Sequence, residues 1–195
     1  MMDYMFWIPI FKYHINDWER KKGAINSILE PYYLQNPSCE GDTRQDFLVN
    51  RGKANYLDKI MLSIHDEFSK FVLDIGGTIG DATVVGMWHE ISNKYASHVP
   101  HNHGGIHYGA TLYLNFVKGE HKSTRFYSPF NNLLNGDGLV YMDETIKEGD
   151  LIFFPASILH EAPTNYSDTP REIIAMNIMM DGLVDKDDLA NPTLQ

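Results

Sequence analysis

The sequence contains a single cysteine, Cys39, which excludes an internal disulfide and a metal site built from thiolates. It has no run of eighteen apolar residues, so no membrane-spanning helix is predicted. Basic residues are also few, because 16 Lys and Arg stand against 26 Asp and Glu, a formal net charge of −10. Nucleic-acid binding needs clustered Lys and Arg, so this balance argues against a nucleic-acid partner.

The apolar N-terminus lacks a basic region and a small-residue cleavage site, so it is not predicted to be a signal peptide. Together with the single cysteine, this favours a reducing cytoplasm. The 43% apolar and 22% charged residues are typical of a globular protein. The length fits a single domain over residues 1–195, with an N-terminal strand and helices at 1–80, a core at 81–180 and an acidic tail at 181–195.

Two helices are predicted after an N-terminal strand at about residues 4–15. The first follows Asn16, a helix-capping residue type, with Glu19 as its capping-box partner, and is expected to end before Pro31. The second carries apolar side chains at spacings of three and four for almost five turns and stops at a Gly-Gly pair. These positions are Leu57, Ile60, Met61, Ile64, Phe68, Phe71, Val72 and Ile75, followed by Gly76 and Gly77.

From residue 81 onward the pattern changes to short strands separated by Gly, Asn, Asp, Ser and Pro clusters. Closely spaced strands without intervening helices predict an antiparallel sandwich or barrel. The expected fold is therefore α+β and mainly β, with two N-terminal helices packed on an all-β body. The predicted strands lie at 81–93, 107–117, 123–129, 138–146, 150–156, 158–165 and 171–180.

Four of the nine histidines lie in residues 97–115, SHVPHNHGGIHYGATLYLN. His101 and His103 are two positions apart, so on an extended strand their imidazoles point to the same face. Two imidazoles need a third ligand to hold a metal ion. The later candidates are His121, on a turn, and His160 in the segment GDLIFFPASILHEAPTN. We interpret the protein as a strand-built scaffold that brings His101, His103 and His160 around one metal ion.

The other two histidines of this stretch, His98 and His107, have no role that the sequence can assign. His107 has the same strand parity as Thr111 and Tyr113, but the Gly104–Gly105 pair makes a bulge before it plausible. Neutral imidazoles suit Fe, Zn, Cu or Ni, and open coordination positions favour catalysis over a structural site. An isolated His-x-His pair is equally typical of ordinary surface histidines.

Arg171 lies eleven residues after His160 and shares a strand face with Asn177. An arginine that points into an apolar barrel needs a carboxylate or a comparable acceptor, and its planar fork fits a carboxylate ligand. The alternative is an ordinary salt bridge at the barrel rim, for which the candidate partners are Glu161, Glu172 and Asp168.

With these residues the chain resembles the Fe(II)- and 2-oxoglutarate-dependent dioxygenases, which share a double-stranded β-helix (jelly-roll, cupin-like) fold. In that superfamily a first histidine is followed two residues on by a second ligand. A distal histidine comes later, and about ten residues beyond it a basic residue binds the far carboxylate of 2-oxoglutarate. The matching positions are His101, His103, His160 and Arg171.

A narrower resemblance is to a branch of this superfamily met in phage and marine bacterial sequences. Its motifs cover nearly the full chain, and the segment from Gly149 to Arg171 is the most specific part. The matches are Phe6 and Pro9, Trp88, the His-x-His pair, Tyr113 and Leu114, the run from Gly149 to Asn165, and Arg171 with Asn177.

The chain departs from the superfamily at the second ligand position. Most members have Asp or Glu there, whereas this sequence has His103, and no acid lies between Pro100 and Val117. We favour three histidine ligands, with Glu161 or Glu90 as the alternative source of a carboxylate. Replacing a carboxylate by a neutral imidazole leaves the site one charge more positive. The usual "GG-E-L" strand after the YLN segment is also absent.

The resemblance implies a hydroxylase that uses Fe(II), 2-oxoglutarate and O2 on an unknown small-molecule or peptide substrate. It implies that Arg171 holds the cosubstrate, with Tyr113, Thr111 and Asn177 beside it. Residues 39–52 and 128–138 are candidates for a substrate lid. The expected location is the cytoplasm, or the cytoplasm of a phage-infected host, and the oligomeric state stays open, with a homodimer among the options.

Two other functions compete with this hypothesis. A cupin-type dioxygenase or isomerase without 2-oxoglutarate would share the GDLIFFPASILHEAPTN segment, in which Ser157 replaces a signature glycine and for which Arg171 has no required role. A non-catalytic β-sandwich binding module would explain the missing carboxylate. It would not explain why His101, His103, His160 and Arg171 are all present in the order found in the superfamily.

Overall fold

The computed structural model describes residues 8–33, 43–47, 54–132 and 134–181. Within these ranges the chain forms two α-helices, ten β-strands and one turn of 3-10 helix at Ile79–Asp81. The elements in chain order are β1 (Phe11–His14), α1 (Trp18–Tyr33), β2 (Thr43–Gln45), α2 (Leu57–Asp74), β3 (Ala82–Ser92), β4 (His98–His101), β5 (Tyr108–Asn115), β6 (Arg125–Asn131), β7 (Gly138–Met142), β8 (Asp150–Pro155), β9 (His160–Ala162) and β10 (Arg171–Met180).

The strands form two antiparallel sheets. The larger sheet has the order β1-β8-β5-β10-β3-β2, and the smaller has the order β4-β9-β6-β7. All seven strands predicted beyond residue 81 are present, and the predicted mainly β fold with two N-terminal helices is confirmed. The N-terminal part contributes more than helices, because β1 pairs with β8 and β2 pairs with β3.

The larger sheet separates two hydrophobic cores because successive strand residues point to opposite faces. On β8, Phe153 belongs to the core beneath the helices, where its ring stacks on Phe71 of α2 with centroids 4.1 Å apart. Its neighbour Phe154 belongs to the core between the sheets, together with Tyr113 and Phe126. The helices therefore cover one face of the larger sheet, and the smaller sheet covers the other.

The second helix follows the prediction and the first does not. Helix α2 begins at Leu57 and is closed by Gly76, whose φ of 80° suits glycine and whose N–H bonds to the Leu73 carbonyl. Helix α1 continues through Pro31 to Tyr33, so the predicted end before Pro31 is wrong. Proline disfavours a helix interior but does not forbid it, and here it lies in the last turn.

None of the helices in the described ranges is long and apolar enough to cross a membrane. The predicted acidic tail lies outside the described residues apart from Asp181. The beginning of the predicted N-terminal strand, residues 4–7, also lies outside them.

Gly109 on β5 is required by a close approach of Phe154 from the neighbouring strand. A Cβ atom at this position would lie 2.7 Å from Cε2 and 2.9 Å from Cζ of the Phe154 ring. The ring has little freedom to move, because it is 1% exposed and packs edge-on against Phe126 at 5.0 Å. The absence of a side chain at Gly109 therefore fixes where Phe154 lies.

We expect Gly109→Ala to lower the free energy of unfolding by about 1–3 kcal/mol, because the added methyl group overpacks the core between the sheets. The matched control is Gly138→Ala on β7, where a Cβ would meet no atom within 4 Å. Urea denaturation of the two variants measures the difference. Equal stabilities would show that Phe154 can move aside without cost.

Candidate metal centre

Three histidines from separate segments converge at one end of the space between the sheets. His101 ends β4 and lies directly opposite His160, the first residue of β9. His103 lies beyond the end of β4, where its N–H donates to the Ala156 carbonyl at 2.9 Å. One ring nitrogen from each histidine lies within 4.8 Å of the other two, and this is the one such cluster of potential metal ligands among the residues that the structure describes.

Each ring is oriented by a hydrogen bond from its Nδ1 atom. His101 Nδ1 donates to the Val99 carbonyl at 2.8 Å, and His160 Nδ1 donates to the Ile158 carbonyl at 2.9 Å. Both use the carbonyl two residues earlier in the chain. His103 Nδ1 lies 2.5 Å from the Asn177 side-chain oxygen. Since these oxygens only accept, each Nδ1 carries the proton and each neutral ring presents an Nε2 lone pair.

The histidines are held in the neutral form that binds a cation. Burial lowers the pKa of His160 to about 4, and it also lowers the pKa of His101 and of His103. His103 Nε2 lies 3.3 Å from His101 Nε2. Two lone pairs that face each other at this distance repel one another unless a cation or a proton lies between them. The geometry therefore suits a divalent ion with imidazole ligands.

The remaining histidines of the sequence hypothesis lie outside this cluster. His107 is exposed, and its Nδ1 accepts a hydrogen bond from the Met180 N–H at 2.8 Å. His121 is buried and satisfied, since it accepts from the Val117 N–H and donates to the Thr169 carbonyl. His98 stacks on His101 with ring centroids 4.2 Å apart. It contacts the cluster without joining it.

Three residues predicted to bind the cosubstrate lie in or near the cluster, in different relations to it. Thr111 is buried and lines the same small cavity, of about 40 Å³, as the three histidines. Tyr113 lies deeper in the barrel, where its hydroxyl contacts Thr124 Oγ1 at 2.9 Å and accepts from the Thr124 N–H. Asn177 orients His103 through its side-chain oxygen, a role that the sequence did not predict.

Arg171 is buried, with 3% of its surface exposed. Its guanidinium donates to the carbonyls of Lys122 and Pro163 and to the Ser92 hydroxyl, at 2.9, 3.2 and 3.2 Å. It forms no ion pair within 4.0 Å in the described part of the chain. Burial lowers the pKa of this group, yet an arginine stays charged near neutral pH. The structure thus contains a buried cation held by neutral acceptors.

The salt-bridge partners considered for Arg171 contact other residues instead. Glu161 binds Arg125 at 2.6 Å, Asp168 binds Lys94 at 2.7 Å, and Glu172 lies 3.5 Å from His89. None of these three acids therefore pairs directly with Arg171, although the charge of Glu90 acts on the guanidinium from a longer distance and raises its pKa.

Neither of the two carboxylates considered as a replacement ligand belongs to the histidine cluster. Both Glu161 and Glu90 line the cavity, but Glu161 is neutralised by Arg125. Glu90, on β3, has one oxygen 3.3 Å from His98 Nδ1. The hydrogen bond that His98 donates to Glu90 raises the pKa of His98. The sequence did not reveal this pair, because the two residues are eight positions apart on separate strands.

An open cleft of about 420 Å³ leads to the exposed side of the cluster. Phe47 and Trp88 form its aromatic wall, with ring centroids 5.0 Å apart. The Trp88 ring also lies 5.9 Å from the His103 ring. The rest of the lining is polar and comprises Gln45, His98, His101, Asn102, His103 and Asn177.

Residues 86–177 match the model of a protein family described as "Putative 2OG-Fe(II) oxygenase". This region begins on β3 and ends at Asn177, so it includes the three clustered histidines and Arg171. No curated protein sequence matches the chain.

Solved structures share the fold at low sequence identity. The carbocyclase SnoK, described as non-heme and alpha ketoglutarate dependent, from nogalamycin biosynthesis, has a TM-score of 0.62 and 14% identity, over 93% of this chain and 86% of SnoK. HygX from Streptomyces hygroscopicus, solved with nickel and 2-oxoglutarate, has a TM-score of 0.59 and 11% identity, over 89% and 83%. A viral collagen prolyl hydroxylase from Paramecium Bursaria Chlorella virus-1 has a TM-score of 0.58 and 12% identity, over 88% and 96%.

The family model and the solved structures match different extents of the chain. The family model covers the region that carries the histidine and arginine motifs, whereas the solved structures cover the fold of nearly the whole chain. The narrower likeness to a phage and marine bacterial branch stays a prediction. The resemblance to the Fe(II)- and 2-oxoglutarate-dependent dioxygenase superfamily is confirmed, in sequence over residues 86–177 and in fold over most of the chain.

Proposed function

We propose that this protein is a non-haem Fe(II)- and 2-oxoglutarate-dependent oxygenase of the hydroxylase type, with His101, His103 and His160 as the metal ligands. One observation carries the proposal. Three acceptor oxygens fix the three Nδ1 atoms, and one ring nitrogen of each histidine lies within 4.8 Å of the other two. Rings that served only to fill the core would not need their lone pairs directed at one another.

The donor set fits Fe(II), because neutral imidazole is a good ligand for this ion and three ligands leave positions for a cosubstrate and O2. When bound, Fe(II) with 2-oxoglutarate and O2 supplies oxidative chemistry in which the keto acid loses CO2 to give succinate and one oxygen atom enters a C–H bond of the substrate. The protein's part is to position the reactants and to exclude water.

Arg171 is the proposed partner of the far carboxylate of 2-oxoglutarate. It shares the face of β10 with Ile173 and Ala175, which line the cavity of the histidines. Its hydrogen bonds to two carbonyls and a hydroxyl hold the guanidinium in place without neutralising it. A buried cation without a carboxylate partner binds an anionic ligand strongly, because the charge is already desolvated. Thr111, in the cavity wall, is placed to contact the same cosubstrate.

The substrate is proposed to enter through the cleft beside Trp88. The cleft is open, and its aromatic wall and amide side chains suit a small molecule or a peptide rather than a strongly charged polymer. Gln45 and Phe47 in its lining come from residues 39–52, one of the segments predicted as a substrate lid. We place the enzyme in the cytoplasm, where its single cysteine stays reduced.

Anaerobic titration with Fe(II) and 2-oxoglutarate tests the function. We expect the visible metal-to-ligand charge-transfer band of an iron–keto acid chelate in the wild type and its loss in His160→Ala. His65→Ala is the control, since this histidine is exposed on α2, away from the cluster. If folded, metal-loaded protein shows no band, the proposed use of 2-oxoglutarate is wrong and the cupin-type function is favoured instead.

Replacement of Arg171 tests the cosubstrate site separately. Arg171→Ala should weaken 2-oxoglutarate binding roughly 10- to 100-fold, because it removes charge-assisted hydrogen bonds, while metal affinity stays unchanged. The band titration measures the first quantity and chelator competition the second. Arg171→Met preserves more of the buried volume if the alanine variant does not fold, and Arg20→Ala is an exposed control. Unchanged cosubstrate affinity would disprove the assignment of Arg171.

A further inference from the structure

Glu90 is a buried carboxylate in the wall of the histidine cavity. It lies on β3 and is 2% exposed. The same cavity is also lined by His101, His103 and His160. Its Oε1 atom is fully buried without a hydrogen-bond partner in the part of the chain that the structure describes. Its Oε2 atom contacts His98 Nδ1 at 3.3 Å. Burial of a carboxylate oxygen without a hydrogen-bond donor lowers the stability of the fold, so this residue needs a compensating interaction.

The charges around the cluster show what that interaction is. Three neutral imidazoles leave both charges of a divalent ion uncompensated, and Arg171 adds a further buried positive charge on the same side of the larger sheet. Of the two acids in the cavity wall, Glu161 is paired with Arg125 at 2.6 Å. Glu90 is therefore the acid in the described lining that makes no direct Lys or Arg contact. Its ionisable neighbours are His98, at 3.3 Å, and Arg171, on which its charge acts from a longer distance.

Glu90 is connected to the cluster through His98. The carboxylate contacts His98 Nδ1, and the His98 ring stacks on the His101 ring at an interplanar angle of 19°. Both carboxylate oxygens lie outside the cluster of ligand atoms that are within 4.8 Å of one another. The contacts from Glu90 to His98 and from His98 to His101 thus support the His101 ring, and neither Glu90 nor His98 is itself a member of the cluster.

We propose that Glu90 supplies the negative charge that a three-histidine centre lacks. It acts on the bound divalent ion as a positioning residue, through its contact with His98 and the stacking of His98 on His101. This inference rests on the proposed metal site and goes beyond it, because it assigns the function of the missing carboxylate ligand to a residue on a different strand. The carboxylate lowers the energy of the ion through the low-dielectric cavity and restrains the stack of His98 on His101.

Glu90→Gln tests the proposal with the metal alone. Co(II), which gives visible absorption bands that depend on its ligands, is titrated into the full chain without 2-oxoglutarate, and a competing chelator gives the affinity. We expect affinity to fall about 10- to 100-fold, as is common when a residue that supports a metal ligand is lost. The Co(II) band positions should stay unchanged, because the three imidazoles remain.

Glu67→Gln is the matched control. Glu67 is also a buried carboxylate, 4% exposed, but it lies on α2. One oxygen accepts from the Asn16 N–H, and the other has no hydrogen-bond partner in the described residues and lies 3.7 Å from Lys21 Nζ. It should leave Co(II) affinity unchanged. Glu90→Asp retains the charge and should retain most of the affinity, which keeps the test decisive if Glu90→Gln folds poorly.

Each alternative outcome overturns a defined statement. Unchanged Co(II) affinity in Glu90→Gln disproves the role of Glu90 but leaves the three-histidine site intact. A loss of affinity together with shifted bands would make Glu90 a direct ligand and disprove its action through His98. Altered 2-oxoglutarate affinity with unaltered Co(II) affinity would make it a partner of Arg171 instead. Wild-type binding that survives His160→Ala would overturn the proposed function itself.

Discussion

The pairing of β4 with β9 is the constraint on which the site depends. It sets His101 opposite His160, and in each case the carbonyl two residues earlier accepts the Nδ1 proton. The same local device therefore operates on both strands. The ring orientation is fixed by the backbone, and side-chain packing only has to preserve it. A slip of one residue in this register would turn His160 toward the opposite face of the sheet.

The identity of the three clustered histidines could be predicted from spacing and strand parity, but the way they converge could not. His103 was expected on the same strand as His101, whereas it lies beyond the strand end and is held by the Ala156 carbonyl. That contact comes from a segment more than fifty positions away. Local periodicity describes a strand face and contains no information about such a partner. The parity argument therefore singled out a member of the cluster for an incomplete reason.

The contacts that the sequence could not reveal join residues on different segments of the chain. Asn177 could be singled out with Arg171, but its contact with His103 follows from the pairing of β10 with β5 opposite Gly109. Glu90 could be named from the sequence as an alternative ligand, but its contact with His98 follows only from the fold. Helix α1 shows a different limit of sequence analysis. Pro31 predicted the end of the helix, but local propensity is a weak signal that tertiary packing can override.

Electrostatics links the three parts of the proposed enzyme. A divalent ion on neutral imidazoles and the buried guanidinium of Arg171 both raise the positive potential of a cavity whose walls are mostly uncharged. The keto acid is a dianion, so its two carboxylates would meet one positive group each. Coupling between two bound ligands is reciprocal. If the ion raises the affinity for the cosubstrate, the cosubstrate raises the affinity for the ion by the same factor. In the proposed centre, replacing the usual carboxylate by His103 would therefore weaken binding of the ion alone and make its binding depend more strongly on the anion. A three-histidine centre of the proposed kind would consequently suit chemistry in which the metal and its anionic partner bind together.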